Sequence, residues 1–169
     1  MTFPSDIIKT LRDYVGQLPD VTINGVDFGV GDKNQDGTPS VYMREPRPND
    51  PNCSAYVFAS RNVEIDHCIG HTFPNRTAYD IEIVLLIKLR DEEEAIEAVS
   101  TLTDNLRSLI YGDVALRDDL NALSYASGGA THTVSKFKVT GQRFVTPATE
   151  GKFIAMTMTS LRFDVTTQS

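Results

Sequence analysis

The feature that most constrains this chain is the run "AYDIEIVLLIKLRDEEEAIEAVSTLTDNLRSLIYG", residues 78–112, in which one hydrophobic period gives way to another without a linker. From Tyr79 to Arg90 the pattern has period two. Tyr79, Ile81, Ile83, Leu85, Ile87 and Leu89 share one face, and Asp80, Glu82, Val84, Leu86, Lys88 and Arg90 share the other. Alternation of that kind is the mark of a β-strand. The second face is apolar at its centre, so the strand belongs in a sheet partly covered on both sides. From Asp91 the period becomes helical, with Ile96, Val99, Leu102, Leu106, Leu109 and Ile110 at three- to four-residue spacing. Asp91, Glu92, Glu93 and Glu94 crowd the first turn, where the helix dipole favours negative charge, and Gly112 supplies a stop. A strand feeding directly into a long helix places that helix on the sheet, and the rest of the chain must be built around the pair.

Upstream, Ser5 and "DIIKTLRDYVGQLP" predict a first helix. Ser5 is read as its cap, Ile7, Ile8, Leu11, Tyr14, Val15 and Leu18 as its apolar stripe, and Gly16 and Pro19 as its stop. "VTINGVDFGVG" reads as an early strand with a turn at Asn24-Gly25, and "AYVFASRNVEI" as a strand over 55–65. Residues 44–54, with three prolines, and 66–76 read as surface loops. A short helical piece is expected over 115–123, followed by a break at "SYASGGA". "HTVSKFKVTGQRFV" and "KFIAMTMTSLRFDV" then form the arms of a long hairpin, with Phe153, Ala155, Thr157, Thr159, Leu161, Phe163 and Val165 on one face of the second arm. The expected fold is one α+β domain over residues 1–169. It has a mixed or antiparallel sheet with a long C-terminal hairpin, packed against one long helix and one shorter N-terminal helix.

Composition removes several function classes. The longest apolar run, Ile83 to Ile87, is far short of the roughly 20 residues that cross a bilayer, and residues 1–17 have no apolar core of a secretory signal. No membrane partner is expected, and the Asn-x-Ser/Thr triplets at Asn52 and Asn75 carry no meaning in a reducing compartment. Cys53 and Cys68 make neither a disulfide framework nor a redox pair. The net charge of −7, with dispersed Lys and Arg, argues against specific duplex binding, which needs clustered cations to displace counterions from phosphates.

"DKNQDG" puts Asp32, Asn34 and Asp36 at positions 1, 3 and 5 of a calcium loop with Gly37 at 6. Position 12 is Met43, which is no ligand for a hard cation, and Pro39 cannot donate at position 8, so an EF-hand is excluded. A looser calcium-dependent binding module remains as an alternative beside a surface turn. His67, Cys68 and His71, with Cys53 upstream, have metal-like spacing but no assured fourth ligand; a polar loop with a small buried cysteine is the plainer account. There is no serine elbow, P-loop or dinucleotide motif. Glu92–Glu94 offer paired carboxylates for acid/base work, but an acidic first helical turn reads as capping and solubility. No catalytic, cofactor-binding or metal residue is assigned, no cofactor is expected, and the chain is not expected to be an enzyme.

The order of elements resembles the tail terminator (tail completion) proteins of long-tailed bacteriophages. "RTAYDIEIVLLIKLRDEEEAIEAVSTLTDNLRSLI", residues 76–110, and "RFVTPATEGKFIAMTMTSLRFDV", residues 143–165, carry the likeness, and residues 30–54 lie outside it. The resemblance implies a structural virion protein that closes the head-proximal end of the tail tube as a ring, commonly a hexamer. Its implied partners are copies of itself, the tail tube protein and the neck or head-completion proteins, with genome DNA passing through the ring without specific binding. It places the protein in the virion, and in the host cytoplasm during assembly. A head–tail stopper and a tail tube subunit are the neighbouring roles. Glu92, Glu93, Glu94, Asp118 and Asp119 are candidates to face the bore.

Overall fold

A computed structural model describes residues 3–30, 41–66, 76–127, 129–145, 148–149 and 152–168. In chain order these form α1 (Phe3–Val15), β1 (Val21–Ile23), β2 (Val26–Phe28), β3 (Val41–Tyr42), β4 (Cys53–Asp66), β5 (Arg76–Leu89), α2 (Glu92–Gly112), α3 (Val114–Ala122), β6 (Ser124–Ser127), β7 (Ala130–Val145), β8 (Ala148–Thr149) and β9 (Lys152–Gln168). The class is α+β, as the alternation of periods predicts. The main sheet runs β3-β4-β5-β9-β7-β6, with β8 paired to β9. Its β3–β4 contact is parallel and the remaining pairs are antiparallel.

β5 and β9 form the spine, paired from Arg76↔Thr166 to Leu89↔Phe153. β7 pairs with the other edge of β9, from Thr131↔Gln168 to Val145↔Met156. The helices form a layer on one face of this sheet. There α1 meets β3 and β4, α2 meets β5 and β9, and α3 meets β7 and α1. Between layer and sheet, Ile81, Ile83, Leu85 and Ile87 of β5 and Leu161, Phe163 and Val165 of β9 pack on Leu102 and Leu106 of α2 and Ile7 and Leu11 of α1. Fully burying one such side chain contributes roughly 1.5–3 kcal/mol.

Four local expectations change. α1 starts at Phe3 rather than after Ser5, so Ser5 sits inside the first turn and Pro4 occupies an early position that tolerates a missing N–H. Ile96 is not in the buried stripe of α2. That stripe is Ala95, Ala98, Val99, Leu102, Thr103 and Leu106, and Ile96 lies outside it, 36% exposed. Two alanines one turn apart face the sheet because they let the backbone approach closely; scoring by side-chain size favours the isoleucine instead. The break expected at "SYASGGA" is a strand, β6, turning back onto β7 through Gly129 at φ +84°. Both expected loops are cut short: that over 44–54 ends two residues early, because Cys53 and Ser54 already pair with Ile87 and Leu86, and of that over 66–76 Asp66 and Arg76 pair with each other while residues 67–75 lie outside the described residues. The early strand does turn at Asn24-Gly25, both with positive φ, and β1–β2 is a separate two-stranded hairpin.

Candidate interaction surface

Strand alternation sends every second residue of β4, β5, β9 and β7 to the face opposite the helices, and that face has two unlike ends. At one end Tyr56, Val84 and Leu86 are buried, with Tyr42, Phe58, Ile154, Met156 and Met158 half-buried around them. At the other end the register aligns charge. Lys138 lies across from Arg162, Arg162 from Asp80, and Asp80 from Arg61; Lys136 lies across from Asp164. Arg162 grips Asp80 with two bonds of 2.7 and 3.0 Å, and this donor holds the Asp80 carboxyl below the usual carboxylate range. Arg76 pairs with Asp164 at 3.5 Å, and Glu82 accepts from Ser60 at 3.2 Å and Ser160 at 2.6 Å. Each of these three carboxylates therefore has a partner, whereas Lys136, Lys138 and Arg143 stand exposed on β7, the Arg143 guanidinium lying 3.2 Å from the Met158 sulfur.

The apolar end is clamped by the proline-rich segment that follows β3. Asp50 is its hub. The carboxylate accepts from the Arg44 guanidinium at 2.6 and 2.9 Å, from the Arg47 amide at 2.7 Å and from the Tyr56 hydroxyl at 2.9 Å. The Arg44 bonds drive the Asp50 carboxyl far below its ordinary range, against the opposing effect of its burial. Burial first, and Asp50 second, push the Tyr56 hydroxyl up. Arg44 also stacks over Tyr42, 4.3 Å from the ring centroid, and Tyr42 stacks on Tyr56 at 5.6 Å. From below, the buried Lys88 ammonium donates to the carbonyls of Pro48 at 2.9 Å and Asp50 at 3.0 Å. Sequence reading missed this set, although a signal was present. A single lysine inside "VLLIKL" must find oxygens when its strand is buried, and Asp50 within "RPNDP" is an acid that a proline-rich turn can aim inward.

The residues singled out by sequence are dispersed. Asp32, Asn34 and Asp36, and His67, Cys68 and His71, lie outside the described residues. Cys53 is half-buried on the helix side, its thiol pushed up to about 12, by burial first and then by Asp20. Gly29 lies so close to Asp20 that a Cβ there would run into the carboxylate. Asp91 caps α2 through the Glu94 amide at 2.9 Å, and the Glu94 carboxylate accepts from Asn24 at 2.6 Å, which ties the β1–β2 turn to the helix; Glu92 and Glu93 are exposed. Asp119 accepts from the Tyr14 hydroxyl at 2.5 Å, joining α3 to α1, and this bond pushes the Tyr14 hydroxyl up to about 12. Asp118 faces solvent beside Arg117. A cleft of about 530 Å³ opens where Ser5 and Ile8 of α1 meet Arg61 and Tyr79. Among the described residues no group of three or more His, Cys, Asp or Glu is placed to hold a metal ion, and no helix is long and apolar enough to cross a membrane.

Both edges of the main sheet are only partly paired among the described residues. β3 covers β4 at Ala55 and Tyr56, and β6 covers β7 from Ala130 to Thr133. The uncovered stretches are bulged, β4 between Ala59 and Arg61 and between Glu64 and Asp66, β7 between Val134 and Lys136 and between Val139 and Gly141. Bulges and lysines are devices that blunt an edge against strand addition. The broad face, rather than either edge, is the surface best formed for a partner. No family model matches this chain, and no curated protein matches it either.

Proposed function

We propose that this protein is a structural subunit of a long-tailed phage particle, a tail terminator that assembles as a ring, commonly of six copies, on the head-proximal end of the tail tube and joins it to the neck. The observation that carries the reading is the division of labour in the fold. The strand-to-helix unit that carries the resemblance, β5 into α2, builds the core on one side of the sheet. The other side of the same long strands is a broad, two-ended surface with no helix over it among the described residues. Several acids that a chemist would first inspect, Glu94, Asp119 and Asp80, are engaged in holding elements together. In this reading Glu92, Glu93 and Asp118 are the acids left to face either a neighbouring copy or a DNA channel, where like charge keeps the genome from sticking.

The test is solution mass by native mass spectrometry, with and without purified tail tubes. A ring, or a species that becomes a ring on tube ends, is expected. A chain that stays monomeric and never decorates tube ends overturns the reading. Negative-stain images of particles lacking the protein separate the roles: overlong or unjoined tails mark a terminator, leaking heads mark a stopper, and absent tubes mark a tube subunit.

A further inference from the structure

The charges of this acidic protein are divided between two opposite surfaces. On the helix-free face of the sheet, Arg61, Arg76, Arg143, Arg162, Lys136 and Lys138 outnumber the carboxylates at register positions of that face, Asp66, Asp80, Glu82 and Asp164. The outward side of α2 has the reverse balance. Glu92, Glu93, Glu97 and Asp104 are exposed there, with Arg107 opposing them. Each surface also has an apolar end. On the sheet it is the half-buried group Ile154, Met156 and Met158 around Tyr56. On the helix it is Tyr111, 69% exposed, with Val114, 56% exposed, following at the start of α3, while Ile96 sits among the acids at the other end.

The spacings agree. On β9 the row of Arg162 and the row of Met156 are about 20 Å apart at ~3.3 Å per residue. On α2 the acids Glu97 and Glu93 lie about 21 and 27 Å from Tyr111 at ~1.5 Å per residue. We propose that the helix-free sheet face is a docking surface for a second copy of this chain, receiving the outward side of its α2. Acids meet the Lys136–Lys138–Arg162 end and Tyr111 meets the methionine end. The occupant is a second copy because the same chain carries the complement in charge, in apolar position and in length. The contact is heterologous, so each copy both gives and receives, and repetition makes a ring when the rotation closes. It also accounts for the exposure of Ile96 and Tyr111 on a helix whose inner stripe is already complete. Its place in a ring rests on the terminator reading; the contact itself does not.

The experiment is a charge exchange between copies. One variant reverses the sheet face, Lys136→Glu with Lys138→Glu, and the other reverses the helix, Glu93→Lys with Glu97→Lys. All four positions are exposed, and a thermal melt verifies that both variants fold. Sedimentation equilibrium at low salt should show the wild type self-associating, with weakening as salt rises. Each variant alone should associate about tenfold more weakly, since either change sets like charges against each other. The equimolar mixture should recover association, because the acidic helix of one variant meets the basic face of the other, and the basic helix meets the acidic face. A wild type that stays monomeric at low salt, an association that neither reversal weakens, or a mixture that does not recover each overturns the proposal. A monomer that instead retains duplex DNA through Lys136 and Lys138 overturns it in favour of a nucleic-acid surface. Association that follows the charge exchange without any binding to tube ends leaves this contact standing and removes the terminator reading.

Discussion

The two faces of one sheet are stabilised by different physics. Against the helices, Ile81, Ile83, Leu85 and Ile87 are fully buried among aliphatic neighbours, and that burial is spread over many side chains. On the other face the same strand buries Val84 and Leu86 in a small cluster with Tyr56, and Tyr56 and Lys88 tie that face to a segment held by one carboxylate, that of Asp50. Apolar packing is additive and insensitive to pH, whereas a hub is local, charge-dependent and lost as a unit. The contrast predicts a graded core on one side and a clasp on the other.

The largest effect is expected where apolar packing is densest. Leu102 is fully buried between α2 and the sheet, and Leu102→Ala should cost about 3–5 kcal/mol in urea denaturation, from lost transfer energy and the cavity left behind. That cost should be the same at pH 5 and pH 8. A loss below about 1 kcal/mol would mean that the helix layer packs more loosely than described.

Next comes the clasp. Asp50→Ala leaves Arg44, Tyr56 and the Arg47 amide without their acceptor, and should cost about 2–3 kcal/mol. The Asp50 carboxyl is depressed in the folded state, so its contribution is complete above the ordinary carboxyl range near pH 4 and declines as pH falls further. Asp80, depressed by Arg162, adds in the same direction. An acid titration of stability should therefore be flat from neutral pH down to about 4 and then fall. Asp50→Asn should flatten that fall. An unchanged acid limb in Asp50→Asn would remove Asp50 from the role of hub.

The difference between the faces also explains what was legible in the sequence. Periodicity reports burial on one side of an element, so β5, α2, the α1 stripe and the Asn24-Gly25 turn could all be read from spacing alone. The opposite face is built by pairs far apart in sequence, such as Asp80 with Arg162 and Lys88 with Pro48, and no local pattern encodes those contacts. Ile96 shows the limit of periodicity within one helix. A two-alanine approach surface lost to a larger neighbour because spacing records which residues are apolar, while the direction of closest approach is set by the sheet. The surface proposed for a partner was illegible for the same reason: Lys136 and Arg61 become neighbours of one field only after β7, β9, β5 and β4 are in register.

A smaller effect should come from Lys88→Met. The methionine keeps the apolar stem but removes the donor to Pro48 and Asp50, at a cost of about 1–2 kcal/mol. Amide exchange should rise in residues 44–52 and stay unchanged in α2. A rise throughout the sheet would show that clasp and core unfold together, which would erase the comparison.

The finest test lies on the helix side, where one polar pair sits inside the apolar layer. Thr103 of α2 and Thr157 of β9 are both buried, with their hydroxyls 2.7 Å apart, and Thr103 Oγ1 also lies 2.6 Å from the Val99 carbonyl. A carbonyl can only accept, so the Thr103 proton goes to Val99 and the Thr157 hydroxyl must donate to Thr103. The two threonines are therefore unequal. Thr103→Val strands the Thr157 donor in a dry site and should cost about 1–2 kcal/mol. Thr157→Val removes a donor and leaves Thr103 bonded to Val99, so its cost should be about 0.5 kcal/mol or less. The double variant, with neither hydroxyl present, should be more stable than Thr103→Val alone, and a double-mutant cycle by urea denaturation measures the coupling. Equal single costs would mean that the proton order is reversed or shared, and that α2 is fixed to β9 by the pair itself rather than by the aliphatic layer around it.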